Sequence, residues 1–377
     1  MTDVPDTIDV FEDGSGLPVR DVLTGRGFIT GKSGAGKSNT AGVVAERLLD
    51  AGFPLLVVDT DGEYYGLKEA YEVLHVGAAG CDVTVDVDQA GDVAELALAD
   101  RVPVVLDVSG YGADDAEELV AAVVRELFER EAEHRRPFLL LVEEVHEFVP
   151  EQGGRGEAGD AVLRAAKRGR KRGLGVCGIS QRPAAVDKDF ITQCDWLVWH
   201  RLTWANDTRV VARLLGDAAA ETVTDLDDGE ALLQADWESE VRRVRFRRKE
   251  TFDAGATPDF DAASAPSLQS VDERVVARLQ GDEAEQDGDT GDERESRVDA
   301  DRVAELEAQL ATERERVAEL EARLAELTDG EEGREYDPDE RDPVWEAGRL
   351  SAHVLGAPVR GAKRLRRRLD DTDEDSK

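Results

Sequence analysis

A glycine-rich segment constrains this chain more than any other feature of its sequence. Residues 31–38 read GKSGAGKS, which matches the pattern G-x-x-x-x-G-K-[ST], and the short apolar run GFIT comes directly before them. In this pattern the glycines let the backbone curve so that successive N–H groups point at a chain of phosphates. We therefore predict a strand, a phosphate-binding loop (P-loop) and a helix in that order.

The residue types within the loop predict a nucleoside triphosphate with its metal ion. Lys37 would reach the β- and γ-phosphates and Ser38 would bind Mg²⁺, so ATP is the expected substrate and Mg²⁺ the expected cofactor. A glycine-rich turn without a ligand is the alternative, and the strand and helix patterns on either side argue against it. The residues predicted to bind ATP are Gly31, Lys32, Ser33, Gly34, Ala35, Gly36, Lys37, Ser38 and Asn39.

A second apolar run ends in two acidic residues, and residues 138–144 read FLLLVEE. We predict that Glu143 holds the Mg²⁺ ion with its water shell and that Glu144 orients the attacking water. Two solvated glutamates at the end of a strand are the alternative. Farther along the chain, Gln181 follows another apolar run and would sense the γ-phosphate from the tip of a neighbouring strand.

A concentrated basic cluster lies between these two segments. Its six cationic side chains fall within nine residues and are Arg164, Lys167, Arg168, Arg170, Lys171 and Arg172. Three interpretations compete: an arginine supplied to the ATP of a neighbouring subunit, a contact to nucleic acid, or a surface paired with local acids. The residues alone leave these alternatives open.

Up to about residue 250, short apolar runs alternate with helical patterns. This alternation predicts an α/β domain with a mostly parallel sheet, because nearly continuous apolar strands are typical of sheets covered on both faces. The predicted strands are 27–30, 55–59, 103–108, 138–142, 174–180 and 196–200. The predicted helices include 39–50 and 116–129, and a closing β pair is predicted at 231–234 and 241–248.

The composition changes after residue 250. We predict an N-terminal segment (1–20), a P-loop ATPase domain (21–250), a largely disordered acidic linker (251–300), a coiled-coil helix (301–329) and a charged tail with a short basic helix (330–377). The coiled coil rests on a fourteen-residue repeat that places apolar residues at heptad positions. A single solvated helix is the alternative.

The chain is strongly acidic, with 84 acidic and 47 basic residues and a formal charge of −37. A charge this far from zero is tolerated best where concentrated salt screens it. We expect an extreme halophile as the source, and an ordinary acidic protein with a disordered tail is the alternative. No apolar run is long enough for a membrane helix and the N-terminus lacks a secretion signal, which predicts a cytoplasmic protein without a membrane partner. Cys81, Cys177 and Cys194 are too scattered to predict a disulfide framework or a metal cluster.

Taken together, these segments resemble the HerA/FtsK group of ring-forming P-loop motors, and HerA-like ATPases most closely. The resemblance covers roughly residues 20–250. It rests on GKSGAGKSNT (31–40), LLVVDTDGEYYGL (55–67), LLLVEEVHEFVP (139–150), GRKRGLGVCGISQRP (169–183), CDWLVWHRLTWANDTRVVARLL (194–215) and DGEALLQADWESEVRRVRF (228–246). It implies a RecA-like core in which Asp59 and Glu63 lie near the nucleotide. It also implies that Arg168 or Arg170 acts on the ATP of a neighbouring subunit.

The resemblance further implies how such a protein assembles and what it binds. A homo-hexamer would bind ATP between its subunits and drive double-stranded DNA through a central channel. HerA works with the NurA nuclease in processing DNA ends, so a similar partner is conceivable here. HerA proteins usually carry a small β-barrel before the P-loop that contacts the nuclease, but only about thirty residues precede Gly31. We therefore expect a shortened member without the barrel, which argues against the nuclease partnership.

The leading hypothesis is a Mg²⁺-dependent ATPase that couples hydrolysis to translocation or unwinding of double-stranded DNA in DNA processing. A related motor of a secretion, conjugation or defence system is one alternative. An ATP-binding switch or scaffold that signals through its coiled coil is another. The sequence contains no Asn-Lys-x-Asp guanine motif and no LSGGQ-like signature, which argues against GTPases and transporter ATPases.

Overall fold

A computed structural model of the protein describes residues 5–255 and 268–280. The predicted coiled coil (301–329), the charged tail (330–377) and most of the predicted linker (251–300) lie outside these residues. Within the described part of the chain, no helix has both the length and the apolar character needed to cross a bilayer.

The described residues form one large sheet and a small two-stranded one. Numbered along the chain, the strands are β1 (Thr7–Ile8), β2 (Leu17–Pro18), β3 (Arg26–Thr30), β4 (Leu55–Asp59), β5 (Leu74–Gly77), β6 (Val83–Thr84), β7 (Val104–Asp107), β8 (Phe138–Val142), β9 (Leu174–Ser180), β10 (Trp196–Trp199), β11 (Glu230–Ala235) and β12 (Arg242–Arg245). The large sheet has the order β12-β11-β10-β3-β9-β8-β4-β7-β5-β6. Its strands from β10 to β6 run parallel, whereas β11 and β12 are antiparallel to their neighbours. The predicted α/β fold with a mostly parallel sheet is confirmed.

Helices cover both faces of this sheet. They are α1 (Val19–Thr24), α2 (Lys37–Asp50), α3 (Ala90–Leu98), α4 (Ala113–His134), α5 (Glu157–Arg168), α6 (Lys188–Ile191), α7 (Ala205–Leu215), α8 (Asp217–Thr224) and α9 (Glu273–Gln280). In β4, Leu55 and Val57 join the apolar cluster that contains α1 and α2, whereas Leu56 and Val58 join the cluster that contains α3, α4 and α5. Because successive side chains of a strand point to opposite faces, both sets are buried and β4 reads as an uninterrupted apolar run.

The strand order decides where the predicted motifs meet. β9 lies between β3, which precedes the P-loop, and β8, which precedes Glu143 and Glu144. Since these three strands are parallel, their carboxyl ends share one edge of the sheet. This arrangement agrees with the RecA-like core that the resemblance implies.

Segments on both sides of the predicted 21–250 range contact the residues within it. Before residue 20, β1 pairs with β2, and Phe11 packs against Phe246 with ring centroids 4.9 Å apart. After residue 250, α9 packs on α3, and the buried Leu279 accepts a hydrogen bond at its carbonyl from Gln89 Nε2 (2.6 Å). The domain therefore extends on both sides, because its ends pair with segments that are distant in the sequence.

Candidate nucleotide site

The predicted P-loop joins β3 to α2 at the carboxyl edge of the sheet. Gly36, which precedes α2, has a φ of 113°, a conformation that favours glycine. At Gly31, a Cβ atom would lie only 2.5 Å from Cβ of His200. The local geometry therefore requires both glycines, and it leaves backbone N–H groups pointing outward at the start of a 14-residue helix.

His200 follows β10, is fully buried, and packs directly behind the P-loop. Its Nε2 lies 2.9 Å from Oγ1 of Thr40 in α2, and its Nδ1 lies 2.8 Å from the carbonyl oxygen of Glu230. A carbonyl oxygen only accepts, so Nδ1 carries the proton and Nε2 accepts from the Thr40 hydroxyl. Burial lowers the pKa of His200 to about 4. The ring is therefore neutral near pH 7 and holds α2 to β10 and β11.

Lys37 and the first of the two glutamates after β8 are both buried at this edge. Glu143 Oε2 accepts a hydrogen bond from the Tyr64 hydroxyl (2.6 Å). Burial raises the pKa of Glu143 to about 8, and the charges of Glu144 and Asp59 act in the same direction. The positive charge of Lys37 lowers the pKa of Glu143 but does not cancel this increase. The surroundings of this carboxylate are therefore short of positive charge.

Glu144 has an uncommon backbone conformation, with a φ of 38°, in the turn that follows β8. Its Oε2 lies 3.0 Å from His146 Nδ1 and 3.4 Å from the backbone nitrogen of Gln181. Burial would raise the pKa of Glu144, but the hydrogen bond and charge of His146 outweigh it and hold the pKa below its usual value. Glu144 is therefore an ionised carboxylate beside the tip of β9.

Asp59 ends β4 and is enclosed by the loop that follows it. Its carboxylate accepts hydrogen bonds from the backbone N–H groups of Gly62 and Tyr64, both at 2.8 Å. Burial nevertheless raises the pKa of Asp59 to about 6. Glu63, in the same loop, lines a small cavity together with Ser38. The two residues implied by the resemblance thus lie beside the first turn of α2.

These side chains fit the Mg²⁺ ion that the sequence predicts. Mg²⁺ prefers oxygen ligands, and Ser38, Asp59 and Glu143 supply hydroxyl and carboxylate oxygens at one edge of the sheet. Among the described residues, only one oxygen of Glu143 has a hydrogen-bond donor, so the other is open to a cation. When bound, the ion would neutralise this negative cluster and withdraw electron density from the γ-phosphate.

A cleft of about 940 Å³ opens at the same edge. Its lining includes Lys32 and Ser33 of the P-loop, His146, Gln181 and Trp204, whose surface is 75% exposed. The P-loop and Gln181 thus share one cavity. His146 and Trp204 are absent from the sequence-based site. A polar residue two positions after the acidic pair is the signal that would have identified His146.

The two arginines implied to act on ATP lie at the opposite edge of the sheet. Arg168 ends α5 and Arg170 follows it, so both precede β9, whereas the P-loop faces the carboxyl end of β9. The seven residues of β9 span about 23 Å at ~3.3 Å per residue. Neither arginine reaches the P-loop of its own chain, and the implied role requires the P-loop of another copy.

The cations of the basic cluster differ in their contacts. Arg170 Nη1 lies 2.9 Å from Oδ1 of Asp195. Arg164 and Arg172 each stack on an aromatic ring, with the guanidinium carbon 4.9 and 4.1 Å from the centroid. Arg168 is exposed and has no ion pair within the described ranges. Of the two candidate arginines, Arg168 therefore has the more available guanidinium.

Two side chains of α2 hold the segment that follows β12, which we call the α2 strap (residues 247–251). The Asn39 side chain donates to the Arg247 carbonyl (2.7 Å) and accepts from the Lys249 N–H (3.0 Å). The buried Glu46 carboxylate accepts from the N–H and the hydroxyl of Thr251, at 2.8 and 2.7 Å. The Asn39 side chain, predicted to bind ATP, is therefore engaged within the chain. Its backbone N–H, in the first turn of α2, is the group left for a phosphate.

Comparison with known protein families agrees with this geometry. Residues 17–135 match the family described as Helicase HerA, central domain. The matched segment contains the P-loop, Asp59 and all of α4. Residues 17–135 are HerA-like. They contain the P-loop at the carboxyl edge of the parallel sheet.

Individual relatives match parts of this chain. A probable helicase of Methanocaldococcus jannaschii is 30% identical over 112 residues, which cover 29% of this chain and 22% of that protein. The DNA double-strand break repair helicase HerA of Pyrococcus furiosus is 32% identical over 100 residues, which cover 26% of this chain and 18% of that protein. The chain therefore spans about a fifth of the length of these curated relatives. The solved structure of VirB4 of Thermoanaerobacter pseudethanolicus aligns with a TM-score of 0.49 at 14% identity, covering 66% of this chain and 97% of that one.

Proposed function

We propose that the protein is a Mg²⁺-dependent ATPase that couples hydrolysis to translocation or unwinding of double-stranded DNA. The observation that carries this proposal is the common edge of β3, β9 and β8, which brings the P-loop, with its Lys37, close to Glu144 and Gln181. Attack of water on a γ-phosphate requires a group that orients the water beside a cradle for the phosphates. An ionised carboxylate next to the P-loop supplies that group.

Each side chain has a task in this proposal. Lys37 and the N–H groups of the P-loop hold the triphosphate, and Glu144 orients the attacking water and accepts its proton. His146 contacts Oε2 of Glu144 and fixes the orientation of this carboxylate. Gln181 extends from the tip of β9 to the γ-phosphate.

DNA and a ring-shaped assembly belong to the same proposal. Two of the relatives carry the word helicase in their names, and one acts in DNA double-strand break repair by its name. A homo-hexamer is proposed because Arg168 and Arg170 lie too far from the P-loop of their own chain to contact its ATP. A cytoplasmic location follows from a role on DNA. A nuclease partner of the NurA type is not included in the proposal.

The formal charge of −37 sets a condition on how such a protein holds DNA. Phosphate contacts weaken steeply with salt, with a log–log slope of about −0.9 per neutralised phosphate. Diffuse attraction therefore cannot hold this protein on DNA in concentrated salt. Enclosure of the duplex by the ring, with short contacts from arginines in 164–172 or 241–248, is the proposed means of binding.

The test measures ATP turnover of the full chain in multimolar KCl, with and without double-stranded DNA, on particles sized in the same buffer. Addition of DNA should raise turnover of the wild-type protein. Glu144→Gln should bind ATP but lose turnover by about 10²–10⁴-fold, the usual contribution of a positioned general base. Glu147→Gln is the matched control, because Glu147 lies in the same turn but is exposed.

Each outcome separates two hypotheses. Full turnover in Glu144→Gln would refute the role of Glu144. An ATP turnover rate that is the same with and without DNA would support the ATPase activity but favour a motor of a secretion or conjugation system. ATP binding without turnover in the wild-type protein would favour the switch or scaffold.

A further inference from the structure

Three metal-binding side chains meet at the carboxyl edge of the sheet, away from the P-loop. His75 lies in β5, Asp107 ends β7, and Cys81 lies in the loop of residues 78–82 between β5 and β6. His75 Nε2 is 3.1 Å from Asp107 Oδ2 and 3.5 Å from Cys81 Sγ. All three ligand atoms lie within 4.8 Å of one another. The sequence predicts no metal cluster among the cysteines. His75, Cys81 and Asp107 form no contiguous motif, and only the fold brings them together.

The distances suit a tetrahedral zinc ion. Zinc bonds of about 2.0–2.1 Å to nitrogen and oxygen and about 2.3 Å to sulfur place tetrahedral ligand atoms about 3.3–3.6 Å apart. The nitrogen–oxygen and nitrogen–sulfur separations of 3.1 and 3.5 Å are close to these values. A small shift of Cys81, in a loop, would complete the geometry. The three side chains leave a fourth position for water.

The surroundings hold these ligands in place. Ser109 donates from its backbone N–H (2.9 Å) and its hydroxyl (2.6 Å) to Asp107 Oδ1, which leaves Oδ2 directed at His75. The His75 backbone N–H donates to Asp82 Oδ2 (3.0 Å), so the loop is tied back to β5. Such bonds to ligand residues are typical of protein metal sites.

Access and charge also favour a cation. The side chains of His75 and Asp107 are 11% and 13% exposed, and Cys81 is half-buried, so an ion can enter and keep a bound water. The carboxylates of Asp59 and Asp82 add negative charge near the thiol. Lys68, which pairs with Asp82, is the cation that opposes them.

We propose that His75, Cys81 and Asp107 bind one divalent transition-metal ion, and that zinc is the ion this donor set selects. An N, S, O set with one open position is characteristic of zinc sites rather than of Mg²⁺ sites, which use oxygen alone. The ion would fasten loop 78–82 to β7, beside the Asp59 loop. The proposal does not depend on ATP hydrolysis.

Cobalt(II) is the probe, because a thiolate ligand gives it a charge-transfer absorption band that oxygen ligands do not. The full chain, freed of metal by a chelator, should bind Co²⁺ with this band at one equivalent, and Zn²⁺ should displace it. Cys81→Ser should abolish the band, and His75→Gln should weaken binding by at least about 10-fold. Lys37→Ala is the matched control, because it alters the nucleotide site and should retain the band.

A second measurement uses the unmodified protein. Cys177 and Cys194 are buried, so a thiol reagent applied to the folded chain should modify Cys81 first, and Zn²⁺ should slow this reaction. Circular dichroism establishes that each variant is folded. Absence of the charge-transfer band in the wild-type protein, its persistence in Cys81→Ser, or a modification rate indifferent to Zn²⁺ would each overturn the proposal in favour of a metal-free His–Asp hydrogen bond.

Discussion

At the residue scale, the neutral ring of His200 connects elements that the sequence keeps far apart. It bonds to Thr40, 160 positions away in the chain, and to the carbonyl of Glu230. Loss of the ring nitrogens would leave the buried hydroxyl of Thr40 and the partly buried carbonyl of Glu230 without this partner. Each such group costs about 1–3 kcal/mol.

We predict that His200→Phe lowers the free energy of unfolding by about 2–4 kcal/mol and weakens ATP binding, because one buried and one partly buried group lose their bonds and the P-loop loses its support. Urea denaturation and ATP titration measure the two effects. His134→Phe, a histidine at the end of α4, is the control and should change neither. Unchanged ATP affinity in His200→Phe would show that the P-loop does not need this contact.

Local patterns were sufficient to predict some site residues and insufficient for others. The positions of Lys37 and Glu144 at one edge of the sheet could be predicted, because each residue lies in a contiguous motif next to an apolar strand. His200 could not, because its role depends on Thr40 and Glu230 meeting across β10. The cluster around Cys81 was missed for the same reason.

At the element scale, α4 carries a buried acid near its C-terminal end. Glu131 is fully buried, and neither of its carboxylate oxygens has a hydrogen-bond partner in the part of the chain that the structure describes. It faces Gly173, where a Cβ atom would lie 2.9 Å from Glu131 Oε1. Burial raises the pKa of Glu131 to about 7.

This raised pKa makes stability depend on pH. The unfolded carboxyl ionises near 4.5 and the folded one near 7, so the folded state loses stability as pH rises between these values. We predict that Glu131→Gln matches the wild-type stability at pH 4 and exceeds it by about 2–3 kcal/mol at pH 8. Urea midpoints at both pH values measure the difference.

Glu133→Gln is the matched control, because Glu133 is an exposed acid on the same helix. It should show no difference between the two pH values. An equal gain for Glu131→Gln at pH 4 and pH 8 would show that ionisation is not the cause.

Elements with an apolar pattern of their own could be predicted from the sequence, whereas elements that depend on contacts with distant segments could not. The bounds of β4, β8 and β9 agree with the predicted 55–59, 138–142 and 174–180, because each is an apolar run buried on both faces. β5 and β6 are only four and two residues long and carry little pattern of their own. α9 follows a stretch with linker composition, and its packing on α3 is a contact between distant segments.

At the scale of the whole molecule, Arg168 lies at the opposite edge of the sheet from its own P-loop, so the role proposed for this arginine requires a second copy. We predict that Arg168→Ala lowers ATP turnover by at least about 10³-fold, the lower end of what an arginine supplied to a γ-phosphate contributes. Mixing Arg168→Ala with Glu144→Gln chains should restore part of the activity, because some sites then combine an intact Glu144 with a neighbour's Arg168. ATPase assays of each variant and of the mixture measure this.

Arg170→Ala is the comparison, since Arg170 is paired with Asp195. If its loss reduces mainly stability, Arg168 is the arginine that serves the neighbour. If instead Arg170→Ala loses turnover and Arg168→Ala does not, Arg170 is the arginine that serves the neighbour. Inactive variants that show no recovery when mixed would contradict any action between subunits.

The α2 strap gives the molecule a mechanical property. Bonds from Asn39 and Glu46 fasten residues 247–251 along the helix whose first turn carries the P-loop. We expect tension on the backbone at Thr251 to act on these bonds first and to reach the first turn of the helix through Asn39, one position beyond Ser38. The strap would then couple the segment after β12 to the groups proposed to bind the nucleotide.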